Sequence, residues 1–402
     1  MPAVKSLYRV PLFFFALAAC FGLLLRWHVV YPLDGITYPY VLHAHSHVMF
    51  LGWVTNVLLV FVIDRFVPTS KAKWYRKAFY WAQALLVGMS VSFPFQGYGV
   101  ASIVLSTLHT ALIVVLALRF FRISKTLPGS ASLWYLRTAL IYFLVSAVGP
   151  LAIGATGAMG LAQSQWYYLS VYYYLHFQYN GFFTFGALAV VLNLLDLKGI
   201  TYDRAEVLRA GRILAAACVP AYFLSTLWAD PGLIFNGVGF LAAALQIVSL
   251  VLLVRFLRTI VVEVSAKLSR AGVRLLFLAF ACYVIKLFAQ WISAFPEVAH
   301  LAAANRPYVM AYLHLVLIGT ITLPLLTWYL ERGLFWHLAR IALVIVVVGF
   351  FFTEVLLTIM PQASRLSLGS GSVLPMAMLV ASVILTLGII LLLFLSWKAD
   401  KS

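Results

Sequence analysis

The residues best suited to chemistry in this chain are its nine histidines. Three of them stand within five residues, at His43, His45 and His47. On a helix His43 and His47 share a face at i,i+4, whereas His45 points roughly 160° away from them. The His43/His47 pair could chelate a metal ion, and any of the three could be the axial ligand of a haem. The alternative is that these imidazoles cap the helix or form hydrogen bonds at the membrane interface.

Other polar side chains interrupt apolar stretches further along the chain. These candidates are His109, His176, Asn180, Lys286, Gln290, Tyr312 and His314. An ionisable group at membrane depth is costly, so each is a functional candidate. His109 and His176 are candidate ligands of a second metal site or lining residues of a substrate pocket. The alternative is that they are interior histidines whose nitrogens form hydrogen bonds. Lys286 and Gln290 lie one turn apart on a helix and could share a polar face. Lys286 could be part of a proton path or could bind an anionic group such as a haem propionate. The alternative is that its side chain snorkels, so that the ammonium reaches the membrane surface.

The available ligands favour particular cofactors. Imidazole binds copper, zinc and iron, including haem iron. A carboxylate-bridged di-iron site needs several Glu residues with Glu-x-x-His pairs, and the sequence lacks them. We therefore expect haem b, with copper as a second candidate. His28, His300 and His337 are interpreted as interfacial residues at helix ends.

The amino-acid composition indicates the class of fold that positions these side chains. The chain has 402 residues, of which 64% are hydrophobic and 10% charged, whereas soluble domains carry about 25% charged residues. A soluble fold is excluded for that reason, and the many aromatic residues exclude disorder. The net charge of +17 comes from basic residues between apolar segments, which indicates orientation bias and no nucleic-acid partner. The sequence predicts an all-α polytopic membrane protein.

Twelve segments reach the ~20 apolar residues that a spanning helix needs. They are predicted over residues 9–31, 41–63, 78–95, 99–121, 134–157, 168–195, 211–229, 233–256, 273–294, 308–330, 338–360 and 374–397, in a single transmembrane domain 1–402. With a cytoplasmic N-terminus, 24 of the 28 basic residues fall on the inner side, as the positive-inside rule requires. Both termini are then cytoplasmic, and eight of the nine histidines lie in the outer half of the bilayer. No internal repeat is apparent, which argues against an inverted-repeat transporter.

Three short segments resemble the large subunit of haem–copper oxidases and nitric-oxide reductases. They are His43-Ala-His45-Ser-His47-Val-Met-Phe-Leu-Gly-Trp53, Tyr174-Leu-His176-Phe-Gln-Tyr-Asn180-Gly and Ala311-Tyr-Leu-His314-Leu-Val-Leu-Ile-Gly319. The resemblance also covers the twelve-helix architecture with both termini inside. It implies that His45, or His43, forms a low-spin haem site with His314, and that His176 is a copper ligand on helix 6. A looser resemblance links the chain to NnrS-type membrane proteins of the nitric-oxide response.

The chain departs from the oxidase pattern at two places. Residues 211–229, the predicted helix 7, contain none of the family's copper-binding histidines, and Tyr312 stands where the family has its high-spin haem ligand. We therefore expect a haem or copper protein of a bacterial inner membrane without the complete oxygen-reducing centre. It would act as an oxidoreductase or electron-transfer protein on O2, NO or a quinol, with a cytochrome or quinol donor. The alternatives are metal or haem handling, nitric-oxide protection, or transport.

Overall fold

Every regular element in the described residues, 6–363 and 373–399, of this computed structural model is helical. Within these described residues, eleven helices are long and apolar enough to cross a membrane, which supports a multi-pass membrane protein. They are α1 (Ser6–Val30), α2 (Tyr38–Arg65), α3 (Thr69–Gln96), α4 (Val100–Ser124), α5 (Ala131–Ala158), α6 (Gln165–Leu197), α8 (Leu233–Lys267), α9 (Arg270–Ile292), α10 (Arg306–Glu331), α11 (Ala339–Gln362) and α12 (Val373–Lys398).

The predicted seventh span, 211–229, is not one continuous helix. It consists of α7 (Arg204–Cys218) followed by the 3-10 turns Pro220–Ser225 and Leu227–Ala229. Pro220 has no backbone N–H and its ring clashes with the preceding turn, so the α-helix ends just before it. The twelve-helix count is therefore not confirmed, although the other eleven predicted segments each coincide with a spanning helix.

Polar residues begin several helices where the chain leaves a loop. Ser130, Ser164 and Ser269 each accept a hydrogen bond from a backbone N–H in the first turn of α5, α6 and α9. Asp203 does the same at the start of α7. These are side-chain caps of the kind that satisfies the free N–H groups at a helix start.

The chain divides into two compact units. The first comprises residues 1–127 and 332–402 and contains α1 to α4, α11 and α12, whereas the second comprises residues 128–331 and contains α5 to α10. In the first unit α1 contacts α2 and α12, and α3 contacts α4. In the second unit α5 contacts α6, α7 contacts α8, and α9 contacts α8 and α10.

Burial separates three helices from the others. The most apolar windows of α2, α6 and α10 are 89%, 78% and 67% buried, and no other span exceeds 56%. These three helices carry five of the six histidines that the sequence singled out as cofactor ligands or metal ligands. The sixth, His109, lies on α4.

Candidate functional site

A π-helical segment follows a histidine in each of the three most buried spans. The segments are Val48–Thr55 after His47, Phe177–Phe183 after His176, and Leu315–Thr322 after His314. π-Helical turns are rare, and they occur frequently at functional sites. This feature marks α2 in the first unit, and α6 and α10 in the second, as helices that carry candidate functional residues.

The three segments share one sequence pattern, His-x4-Gly-x2-Thr. It begins at His47, His176 and His314 and ends at Thr55, Thr184 and Thr322. Our expectation that the chain has no internal repeat missed it, because only three residues in nine are common to the copies. The hydroxyls of Thr55 and Thr184 each donate a hydrogen bond to the carbonyl five residues earlier, at 2.9 and 2.6 Å.

The glycine of the pattern allows close contact with the preceding span. A Cβ on Gly52 would lie 2.7 Å from Cβ of Phe14 on α1. A Cβ on Gly181 would lie 2.5 Å from Cβ of Tyr142 on α5. Both distances are too short for any other residue, so these helices are held against each other at their π-helical segments.

His45 is oriented by a backbone carbonyl. Its Nδ1–H donates a 2.8 Å hydrogen bond to the carbonyl oxygen of Ala18 on α1. Gly22 lies one turn further along α1, and a Cβ there would be only 3.0 Å from Cε1 of the His45 ring. Within the described part of the chain Nε2 has no hydrogen-bond partner, so it presents a lone pair. A histidine that donates one N–H to a carbonyl and keeps the other nitrogen free has the usual arrangement of a metal-ligating imidazole.

His43 and His47 lie on one face of α2, as their spacing predicted. Nε2 of His47 is 3.1 Å from the Tyr98 hydroxyl, and its ring stacks on Phe93 with 4.4 Å between centroids. The His43 and Tyr98 rings are 4.5 Å apart. We call His43, His47, Tyr98 and Phe93 the aromatic cluster.

His109 lies on α4 and is fully buried. Among the described residues neither of its ring nitrogens has a hydrogen-bond partner. A buried polar group without a partner is costly, so His109 stays a candidate for binding a group that supplies one.

His176 is held by hydrogen bonds at both ring nitrogens. Its Nε2–H donates to the carbonyl of Cys218 at 2.8 Å, because a carbonyl can only accept. Nδ1 is therefore the acceptor, and it receives the Asn180 amide at 3.1 Å and the Ser225 hydroxyl at 3.3 Å. With both nitrogens engaged, His176 fits the interior hydrogen-bonded interpretation better than a ligand role.

The break after α7 makes the Cys218 carbonyl available. In a continuous helix this carbonyl would accept from the N–H four residues on, but Tyr222 N–H instead bonds to Val219 at 3.2 Å in the 3-10 turn. The same turn carries Ser225 to the ring of His176. Pro220 therefore contributes to the candidate site through the backbone conformation that it imposes.

The remaining candidates of the second unit lie on α9 and α10. Lys286 is buried with its ammonium 5.6 Å from the centre of the Tyr283 ring. It makes no ion pair with any described residue, and Gln290 is buried one turn further on. Tyr312 meets Tyr179 edge to face at 6.1 Å, and His314 is half-buried at the start of its π-helical segment. His45 belongs to the first unit and His314 to the second, so their pairing on one haem stays a prediction.

The other three histidines lie in the last turn of α1 (His28), within the short helix Pro296–Ala304 (His300) and in the loop before α11 (His337). His28 accepts a hydrogen bond from the Leu33 N–H, His300 pairs with Asp230 at 3.1 Å, and His337 contacts Trp336. His300 and its partner are more than half exposed. These residues are suitable controls for experiments on the buried histidines.

The donor set accommodates haem better than a metal ion held by protein ligands alone. No group of three or more His, Cys, Asp or Glu side chains is placed to hold a metal ion in residues 6–363 and 373–399. A porphyrin supplies four nitrogens itself, so haem needs only one or two axial imidazoles. A single oriented imidazole such as His45 meets that need, whereas a copper site of three histidines is not found in this part of the chain.

Sequence reasoning missed the partners that orient these histidines. Ala18 and Cys218 act through their backbone carbonyls, and Gly22 acts because it has no side chain. A sequence gives no indication of such contributions, since they do not depend on a functional side chain. Ser225 and Tyr98 are polar residues near a helix break and a helix end, but nothing in their spacing connects them with His176 or His47. The i,i+4 spacing of His176 and Asn180 is a signal from which their contact could have been found.

No protein-family model matches this sequence, and a comparison with curated proteins finds no match.

Proposed function

We propose that this multi-pass membrane protein binds haem b through His45 and carries out electron transfer or redox chemistry on a small molecule such as O2, NO or a quinol. The observation that carries the proposal is the 2.8 Å hydrogen bond from His45 Nδ1–H to the Ala18 carbonyl. This hydrogen bond fixes the Nδ1–H tautomer of His45, orients its ring and increases the basicity of the free Nε2.

The haem would be held without covalent attachment. Attachment of c-type haem uses a C-x-x-C-H motif, and Cys20, Cys218 and Cys282 lie in separate apolar stretches. Gly22 lets the His45 ring pack closely against α1, because any larger side chain would touch the ring. When bound, haem b supplies a one-electron carrier and, at an open axial position, a site for O2 or NO.

The aromatic cluster would move protons for this chemistry. Reduction of O2 or NO and oxidation of a quinol all exchange protons as well as electrons. Imidazole is the side chain best suited to proton exchange near neutral pH. His43 and His47 both contact Tyr98, which lies between them in this group.

The proposed location is a bacterial inner membrane, with the histidines in its outer half. The support is the distribution of basic residues along the sequence, since positive residues collect on the cytoplasmic side. The proposed electron donor is a quinol in the bilayer or a cytochrome that docks at the outer face.

The test is the cofactor content and spectrum of the full chain, expressed with ample haem and purified in mild detergent. We expect stoichiometric haem b by pyridine haemochrome assay and sharp reduced-minus-oxidised bands. His45→Gly should lose these bands, and added imidazole should restore them because it fills the vacated ligand position. His300→Gly is the matched control and should keep the wild-type spectrum.

The outcomes separate the alternatives. Wild-type protein without haem, or a His45→Gly spectrum identical to the wild type, would overturn the proposal. Haem that is bound but neither reduced by quinols nor oxidised by O2 or NO would favour haem handling over redox catalysis. Copper in elemental analysis without haem would favour metal handling.

A further inference from the structure

The basic end of α3 carries a groove that is independent of the histidines. Its volume is about 660 Å³, and it is lined by Ser6, Lys73, Arg76, Lys77, Tyr80, Trp81 and Ala84. All of these residues belong to the first unit. Apart from Ser6 they lie on α3 at intervals of three and four residues, so they form one continuous face of that helix.

The cations of the groove have no acidic partner among residues 6–363 and 373–399. None of Lys73, Arg76 and Lys77 makes an ion pair with a described residue. The sequence contains no Asp or Glu between Asp64 and Asp196. Three unpaired cations on one helix face repel each other, and an anion bound between them would remove that repulsion.

The composition of the groove changes along its length. The cations are at the loop end of α3, while Tyr80, Trp81 and Ala84 lie deeper and are exposed on the same face. Lys73 and Ala84 are eleven residues apart, which is about 16 Å along a helix. Tyr and Trp are typical of the level where headgroups meet acyl chains. The groove is therefore cationic at headgroup depth and aromatic and apolar at acyl-chain depth.

We propose that this groove binds one anionic phospholipid, with its phosphate between Lys73, Arg76 and Lys77 and an acyl chain along Tyr80, Trp81 and Ala84. Basic grooves at the cytoplasmic ends of spanning helices match anionic headgroups in charge. A free phosphate ion would use the cations but would leave the aromatic end of the groove uncovered. The aromatic and apolar end of the groove therefore favours a lipid over a soluble anion.

Native mass spectrometry of the delipidated full chain tests this site with defined probes: dioleoyl phosphatidylglycerol, dioleoyl phosphatidylcholine and inorganic phosphate. We expect one tightly bound phosphatidylglycerol and weaker phosphatidylcholine binding. Each basic residue near an anionic headgroup contributes about a five-fold factor. The triple variant K73Q/R76Q/K77Q should therefore lower phosphatidylglycerol affinity by on the order of 100-fold at low salt.

Two control variants separate the sources of binding. R209Q/R212Q/R258Q removes the same charge from exposed arginines of the second unit and should keep the bound lipid. Y80A/W81A keeps the cations and should weaken lipid binding without changing phosphate binding. Equal affinity for the two lipids, or equal loss in both charge triples, would overturn the site. Phosphate binding as tight as lipid binding, with no effect of Y80A/W81A, would overturn the lipid in favour of a free anion.

Discussion

The Nδ1–H of His45 donates a 2.8 Å hydrogen bond to the backbone carbonyl of Ala18, and this bond joins α2 to α1 inside the first unit. Gly22 is four residues beyond Ala18, so its N–H is the regular helical donor to the same carbonyl. A carbonyl oxygen has two lone pairs and can accept both bonds. Because Gly22 has no side chain, the ring can approach along α1 closely enough to reach this oxygen.

Gly22→Ala should disturb the orientation of His45 without removing the ligand. The new Cβ would lie 3.0 Å from Cε1 and 3.2 Å from Nδ1 of His45, so the ring must shift by a few tenths of an ångström. Loss of a partner that orients a ligating histidine costs about 10- to 100-fold in affinity. We expect at least a ten-fold lower haem affinity in titrations of apoprotein. Gly154→Ala has nothing within 4 Å and should match the wild type; equal affinities in both variants would contradict this role of Gly22.

The glycines of the π-helical segments should be intolerant of alanine. In Gly52→Ala and Gly181→Ala the added carbon would meet Cβ of Phe14 or Tyr142 at 2.7 and 2.5 Å. These Cβ atoms are fixed to helix backbones, so the helices themselves must separate. Overpacking of this kind costs about 1–3 kcal/mol, and we expect a lower unfolding temperature in detergent. Unfolding temperatures equal to that of Gly154→Ala would show that the close contact is not required.

His176 should be more important for stability than for binding metal. His176→Leu would leave the Cys218 carbonyl and the Asn180 amide without their partner, at about 1–3 kcal/mol for each buried group. His176→Gln keeps an amide that can donate to the carbonyl, so it should recover part of the loss in thermal unfolding. Chelator treatment of the wild type should leave its unfolding temperature unchanged. A stability loss on chelation that His176→Leu abolishes would instead indicate a metal ligand.

Hydropathy predicted the spans well, because burying apolar surface in lipid requires a fixed length of apolar chain. Hydropathy predicted the helix ends poorly, because it detects only the part of a helix that lies in the hydrocarbon core of the bilayer. The predicted span 78–95 is Thr69–Gln96 in the structure, and the predicted span 233–256 extends to Lys267. Both extensions carry basic residues, which continue the helix beyond the apolar core. Where a helix continues as a polar segment outside the bilayer, hydropathy does not indicate the residue at which the helix ends.

The candidate site was predictable only where it depends on spacing within one helix. The shared face of His43 and His47 follows from their i,i+4 positions, and the structure confirms it through Phe93 and Tyr98. The contacts of His45 and His176 are made with main-chain carbonyls of other segments. Every residue type has a carbonyl, so such partners depend on tertiary packing and helix breaks. The π-helical segments were also missed, because apolar runs in α- and π-helices have the same composition.

The segment from α7 to Ala229 is long enough to reach across the bilayer despite its break. Fifteen α-helical residues span about 22 Å and six 3-10 residues add about 12 Å, against a core of about 30 Å. If the segment did not cross, the basic residues in the first two turns of α7 and those in the last part of α8 would lie on opposite sides. Arg204 and Arg209 represent the first group, and Arg255 and Lys267 the second. The positive-inside rule therefore predicts a crossing.

Cysteine labelling in intact cells should decide whether this segment crosses. In a background with Cys20, Cys218 and Cys282 changed to Ala, single cysteines replace Thr201 before α7 or Pro231 after the 3-10 turns. We expect a membrane-impermeant maleimide to label Pro231→Cys in intact cells, and Thr201→Cys only after permeabilisation. Leu33→Cys, in the predicted outer loop between α1 and α2, should be labelled without permeabilisation. Labelling of Thr201→Cys and Pro231→Cys from the same side would mean that the segment turns back within the membrane. The chain would then cross eleven times, and its termini would face opposite sides.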